Sequence, residues 1–269
     1  MRHTFLFTIF SSLLLTLLLP AVAMAEITES PLRQRMRVPA NADASGMSWT
    51  PRDARLRDVY IKLFRSNAVN PIALRNAFEY YEKNNCATQS SRLSWGRQPA
   101  AQSCCQNMDP NTMAIVDYTK PATENRLNLI NLRTGTVMQM KVSHGANSGP
   151  AGGVPTQFSN DSGSLQSPAG FLLARGTYMG SNGLSMYLHG LENRNSNCLN
   201  RAIVAHGASY VAGGGRSHGC LAVEPSNIRT LTDLLQNGAL VYNFNGEPQV
   251  AQDQNLRACS SNTEIAEPQ

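Results

Sequence analysis

Fifteen of the chain's 20 glycines lie between Gly145 and Gly219, and the apolar runs among them are short. Glycine weakens helix and strand interiors, so such a stretch folds as brief strands joined by loops. Composition matters here for what it excludes. Of the 269 residues 42% are hydrophobic and only 15% charged, where soluble domains usually carry roughly 25% charge. A disordered tail, a collagen-like fibre and a polytopic membrane protein are all excluded. Six cysteines are too few to staple a chain of this length, so apolar packing must supply the core. The expected class is mainly β (α+β) with few helices.

The N-terminus reads as an export signal. Arg2 and His3 precede an apolar run, Thr4 to Leu19, followed by Pro20 and Ala21-Val22-Ala23-Met24-Ala25. A basic head, an apolar middle and a small-residue end make a secretory signal peptide over residues 1–25. The run is short for a membrane span of about 20 residues, and no cysteine follows the cut to carry a lipid. The expectation is export to the periplasm or cell envelope, with no stable membrane anchor after cleavage. The formal net charge of +5 is scattered without a run of Lys/Arg. It suits an anionic envelope polymer and gives no support for nucleic-acid binding.

Residues 26–51 are polar with scattered Pro and Gly and read as a flexible arm. Leu56, Val59, Tyr60, Leu63 and Phe64 then mark one face of a helix. Asn70-Pro71 starts a second helix, carrying Ile72, Leu74, Ala77, Phe78 and Tyr81. The expected helical N-terminal region is thus 52–111. Strands are expected at Met113–Tyr118, Arg126–Leu132 and Thr136–Ser143, the last two joined by a turn at Arg133-Thr134-Gly135. Further strands fall at Gly170–Leu173, Ser185–Leu188, Arg201–Ala205 and Ala239–Phe244. A helix capped by Ser226 carries Ile228, Leu231, Leu234 and Leu235 and ends at Asn237-Gly238. On composition alone 145–169 passes for a linker. These elements place one catalytic-type domain at 112–245, with a tail at 246–269.

The chemistry gathers in one place. Gly213-Gly214-Gly215-Arg216-Ser217-His218-Gly219-Cys220 follows His206-Gly207, whose histidine stands fourteen positions before the cysteine. A thiol with a pKa of about 8.5 needs a neighbouring imidazole to attack at neutral pH. His206 ends an apolar strand, a rigid mount for its ring, and a carbonyl such as that of Gly207 can fix its tautomer. Gly219 permits a tight turn that aims the backbone N–H groups of Gly219 and Cys220 at a developing oxyanion. Ser217 and His218 are placed to bond the turn or the acyl group. His144, at a strand end, is a further candidate for the cleft; Tyr178 and Tyr210 are candidates to border the substrate groove, though buried packing with a bonded hydroxyl suits them better.

Ser217-His218-Gly219-Cys220 with its upstream His-Gly resembles the signature of murein L,D-transpeptidase catalytic domains, the YkuD-like group. Asp117-Tyr118 with Pro121, Arg126-Leu127, Val142-Ser143-His144-Gly145, Phe158-Ser159-Asn160, Ser185-Met186, Gly190-Leu191-Glu192, Arg201-Ala202-Ile203-Val204 and Ala222-Val223 extend the likeness over about 112–245. The resemblance implies a β-sandwich-like catalytic domain and makes 145–169 an active-site loop. It also implies Cys220 as nucleophile, His206 as general base and Ser217 and His218 as supporting residues. The implied substrate is a peptidoglycan tetrapeptide stem, attacked between its third and fourth residues with release of D-alanine. The thioester then passes to an amine, giving a 3→3 cross-link, or to water, as in an L,D-carboxypeptidase. Many members carry Arg or Asn where this chain has Ala222, so the stem carboxylate needs another partner, for which Arg216 is the candidate, with Gly207 also lining the site. No cofactor is implied.

A non-catalytic wall-binding protein is a third reading, disfavoured because His206, Ser217, Gly219 and Cys220 are all present. His206, His218 and Cys220 lack the spacing of a zinc site. With Cys220 kept as a thiol, Cys86, Cys104, Cys105, Cys198 and Cys259 cannot all pair. Cys86 with Cys104 or Cys105 is the favoured bridge, adding about 3 kcal/mol, and Cys198 is a candidate second thiol.

Overall fold

A computed structural model describes residues 50–85 and 106–248. The expected signal peptide, the expected Cys86 bridge and Cys259 lie outside the described residues, as does almost all of the expected arm and tail. No helix among the described residues is long and apolar enough to cross a membrane.

Two helices come first. In α1 (Ala54–Ser66) the Asp53 carboxylate caps by accepting from Leu56 N, and Asn67 closes the helix in the left-handed region at φ 52. α2 (Pro71–Asn84) opens on Asn70, whose side chain accepts from Ile72 N and Ala73 N, with Pro71 in the first turn. Proline lacks only an N–H that the first turn leaves without a helical partner, so it starts this helix at no cost.

The strands are β1 (Thr112–Asp117), β2 (Leu127–Asn131), β3 (Val137–Met140), β4 (Gly170–Gly180), β5 (Gly183–Gly190), β6 (Val204–Gly207), β7 (Leu221–Val223) and β8 (Leu240–Phe244), with α3 (Ile228–Leu235) before the last. All eight form one sheet in the order β3-β2-β1-β8-β4-β5-β6-β7. β1 pairs with β8 and β6 with β7 in parallel; the other pairs are antiparallel.

Side-chain alternation splits the interior in two. Phe171↔Tyr242 and Leu173↔Leu240 pair across β4 and β8 on the face that packs against α1 and α2. Tyr80 of α2 stacks on Phe171 at 3.8 Å, and Phe171 on Tyr242 at 4.2 Å. Such pairs add about 0.5–1.5 kcal/mol each beyond their burial and fix where the helices dock. The intervening residues Leu172 and Val241 face a second core with Ala114, Leu129, Met186, Ala205, Leu221 and Leu231.

That second core is enclosed because the sheet curls back on itself. β3 is one edge, yet three residues after it Ser143 N donates to Ala222 O of β7, the other edge. Ser217 N donates to His144 O and Ala146 N to Ser217 O, with a parallel bridge between Gly145 and Ser217. The segment 142–146 therefore spans from one edge to the other. Arg126 secures this seam from inside. Its Nε and Nη2 donate to Val142 O at 3.0 and 2.8 Å and its Nη1 to Lys120 O at 2.9 Å, while its guanidinium lies 5.0 Å from the Tyr118 ring.

Several elements differ from expectation. β4 and β5 form a long hairpin reaching Gly180 and Gly183, with a bulge between Ala174 and Thr177 that breaks the alternation expected of a strand. The strand expected at Arg201–Ala205 begins only at Val204, because Ala202 turns at φ 51. β7 has three residues, too few for a period. α3 is capped by Asn227 without a side-chain bond, not by Ser226, and Leu234 is left 37% exposed.

Candidate active site

Register sets the site. Met186, Ala205 and Leu221 lie side by side across β5, β6 and β7 and face the enclosed core. Their neighbours Ser185, His206 and Ala222, equally in register, face the opposite way. Through Leu173↔His189 that opposite face is the one α1 and α2 cover farther along. No residue of β5, β6 or β7 joins the helix-packed core, so the helices leave this end of the face to other uses. Tyr178 pairs with Ser185 and extends the row from His206, stacked on Tyr187 at 4.6 Å. Cys220 stands immediately before β7, two residues from Ala222 and so of the same parity as the residue beside His206.

His206 is 5% exposed, and its Nδ1 is 3.1 Å from Gly207 O. A carbonyl can only accept, so Nδ1 donates in this bond, and in the neutral ring Nε2 is then the acceptor. Gly207 itself packs tightly, a Cβ there falling 3.2 Å from Pro225 Cα and 3.3 Å from Ile228 Cγ2; it contributes backbone, not side chain.

The tetrad folds into a self-bonded turn. Ser217 Oγ donates to Cys220 O at 2.8 Å and accepts from Gly219 N at 3.1 Å. Gly219 takes φ 117, and a Cβ there would lie 2.7 Å from Gln166 O. Only glycine fits that conformation at that approach. The Gly219 N–H, one of two backbone donors expected to face an oxyanion, is thus occupied by Ser217. His218 and Arg216 are exposed. Arg216 Nη1 donates to Ala146 O at 2.9 Å and Gly149 O at 3.3 Å, bracing the loop that opens at Gly145.

The Cys220 thiol is half-buried and donates to Ala202 O at 3.5 Å. Burial pushes its pKa up; the Val204 backbone and the Arg201 charge oppose this. The resting site therefore holds a neutral thiol. Cys198 is fully buried.

His144 contributes by another route than a cleft side chain. It is fully buried, its carbonyl receives Ser217 N, and its Nδ1 lies 3.0 Å from Arg126 Nη2. Burial, then the Arg126 charge, lower its pKa to about 4, so at neutral pH Nδ1 accepts from the guanidinium. In the unfolded chain the ring protonates near 6.5. The unfolded state thus binds the extra proton between these values, and stability present above pH 6.5 is lost as pH falls through 4. The loss should reach about 2–3 kcal/mol by pH 4.5. Urea unfolding at pH 7 and 4.5 checks it against His144→Gln; equal slopes in the two proteins would contradict it.

Sequence reasoning missed Arg126 and Arg201 as site residues, although both lie in segments that carry the family resemblance. Among the described residues no group of three or more His, Cys, Asp or Glu converges as a metal site.

No curated protein sequence matches this chain. Solved structures similar to it include a variant of the helical cell shape determining protein Pgp2 from Campylobacter jejuni, at 15% identity and TM-score 0.35 over 50% of this chain and 47% of that one. An L,D-transpeptidase from Mycobacterium smegmatis gives 15% and 0.32 over 49% and 58%. One from Xylanimonas cellulosilytica gives 17% and 0.32 over 65% and 80%. The chain thus spans about half the length of the first two. The family comparison carries the assignment: the L,D-transpeptidase catalytic domain model matches residues 89–244, more than half of the sequence and the whole of the His206–Cys220 region, and the chain belongs to that family.

Proposed function

We propose that this protein is an exported peptidoglycan L,D-transpeptidase in which Cys220 is the nucleophile and His206 the general base. The observation that carries the reading is the His206 ring. Its Nδ1 donates to Gly207 O, which leaves Nε2 of the neutral ring to accept, and it stands on β6, paired with the β7 strand that Cys220 precedes.

As a stem peptide settles, the Sγ proton leaves Ala202 O and passes to His206 Nε2. The thiolate attacks the carbonyl between the third and fourth stem residues, and the oxyanion takes the Cys220 N–H. The C–N bond breaks as His206 returns its proton to the departing nitrogen, releasing D-alanine and leaving a Cys220 thioester. An acceptor amine then loses a proton to His206 and attacks; the C–S bond breaks and Cys220 recovers its proton. Ser217 holds the turn, His218 borders the acyl group, and Arg216 offers the stem carboxylate its remaining donors. Export across the inner membrane places the enzyme beside this substrate.

The test is incubation of the mature protein with a tetrapeptide muropeptide, with products separated by chromatography and mass. Cross-linked dimer lost in Cys220→Ala is expected. Tripeptide alone would make water the acceptor, and no product from a protein with an intact thiol would overturn the reading.

A further inference from the structure

Arg201 stands five residues before His206, outside the motif. Its Nη1 donates to Ser159 O at 2.6 Å, and its Nη2 to Gln166 O at 2.6 Å and Ser164 Oγ at 3.2 Å. All three acceptors belong to the second limb of the 145–169 loop. The same Nη2 lies 3.3 Å from where a Cβ on Gly219 would sit, and Gln166 O lies 2.7 Å from that point. Guanidinium, loop carbonyl and the turn before Cys220 therefore meet at one place, and the missing Cβ of Gly219 is what lets them. The next residue, Ala202, supplies the carbonyl that receives the thiol. It does so from a left-handed conformation, φ 51, that a residue with a Cβ adopts only when held.

The acceptors on Arg201 are all neutral oxygens, so its hydrogen bonds leave the positive charge uncancelled. We propose that Arg201 is a positioning residue for the Cys220 thiolate: it ties the 159–166 limb of the loop to the Gly219–Cys220 turn and presents a fixed positive charge to the sulfur as it ionises. This rests on Cys220 being the nucleophile. When the Sγ proton passes to His206, the negative charge left on sulfur is opposed by the guanidinium. Burial raises the thiol's pKa on balance, and the Val204 backbone and then the Arg201 charge pull against that rise. A fork of three bonds also explains why arginine stands here, since a lysine ammonium is a point charge that cannot span these acceptors in one plane.

The test compares wild type, Arg201→Lys and Arg201→Met by two readouts on the full mature chain. The first is the pH midpoint of iodoacetamide alkylation at Cys220, read by peptide mass spectrometry. The second is the rate of Cys220 acylation by a tetrapeptide muropeptide. Arg201→Met should raise the alkylation midpoint by about one pH unit, as loss of an opposite charge beside a thiolate does, and slow acylation about 100-fold. Arg201→Lys should keep the midpoint near wild type and still slow acylation about tenfold, because the loop is no longer held. Unchanged midpoint and acylation in both variants would overturn the proposal. If thermal melts find Arg201→Met unfolded, Arg201→Lys decides alone, and a wild-type acylation rate there overturns it. A wild type that alkylates at Cys220 but is never acylated would overturn the transpeptidase reading instead, with the alkylation midpoints still judging Arg201.

Discussion

His206→Gln should lower the rate of Cys220 acylation at pH 7 by about 10³-fold without changing the thermal melt. General bases contribute about 10²–10⁴-fold, and this thiol needs most of that range because burial holds it neutral. Glutamine keeps the size of the ring and a polar end but has no nitrogen that takes up a proton. The deficit should shrink as pH rises, since thiolate then forms without the base. Its recovery should be centred above the ordinary thiol range of about 8.5, because the Cys220 pKa is raised. Stopped-time mass spectrometry across pH 6–10 measures both effects. Wild-type acylation by His206→Gln at pH 7 would put the base elsewhere.

The second large effect is on stability, at the seam of the sheet. Arg126 is fully buried, and its three backbone bonds hold Lys120 and Val142. Burial lowers its pKa to about 10, against the pull of Tyr118 and Asp117, so it is charged at neutral pH. Arg126→Met fills part of the space but strands the buried Val142 carbonyl, the part-buried Lys120 carbonyl and the His144 ring, and each unsatisfied buried group costs about 1–3 kcal/mol. A total near 3 kcal/mol should lower Tm by about 10 °C in a domain of this size. Acylation should fall as well, because the 142–146 segment that Arg126 holds bonds both Ser217 and Ala222. Differential scanning calorimetry checks the first effect; an unchanged Tm would mean the seam is held by backbone bonds alone.

The two effects trace back to different depths of legibility in the sequence. His206, Gly219 and Cys220 stand out in one dimension because reactive residue types crowd into a glycine-rich stretch, and the fold keeps them near one another on β6 and the turn into β7. The helices were equally plain: Asn70-Pro71 is a local start signal, and the apolar face of each helix repeats within a few turns. The seam was not plain. Arg126 acts on Val142 and Lys120 through side chain to backbone bonds, which leave no periodic trace. The curl that brings 142–146 to β7 joins residues more than 70 positions apart in the chain. Ala202 in a left-handed turn is also silent, since alanine carries no preference that announces it. The long β4–β5 hairpin was half seen because its bulge after Ala174 shifts the alternation. Ser226 and Asn227 are equally good caps by residue type, and the chain enters α3 at Asn227 with no side-chain cap at all. His144 shows the opposite limit, a reactive residue type at a strand end that the fold uses as buried support for the turn.

Catalysis through Cys220 is tested most directly by mass spectrometry of the mature protein quenched during turnover of a tetrapeptide muropeptide, followed by mapping of the modified peptide. A tripeptide acyl group in thioester linkage at Cys220 is expected, released by hydroxylamine, absent from Cys220→Ala and scarce in His206→Gln. Turnover with Cys220 unmodified, or an acyl group carried by any other residue, would contradict it.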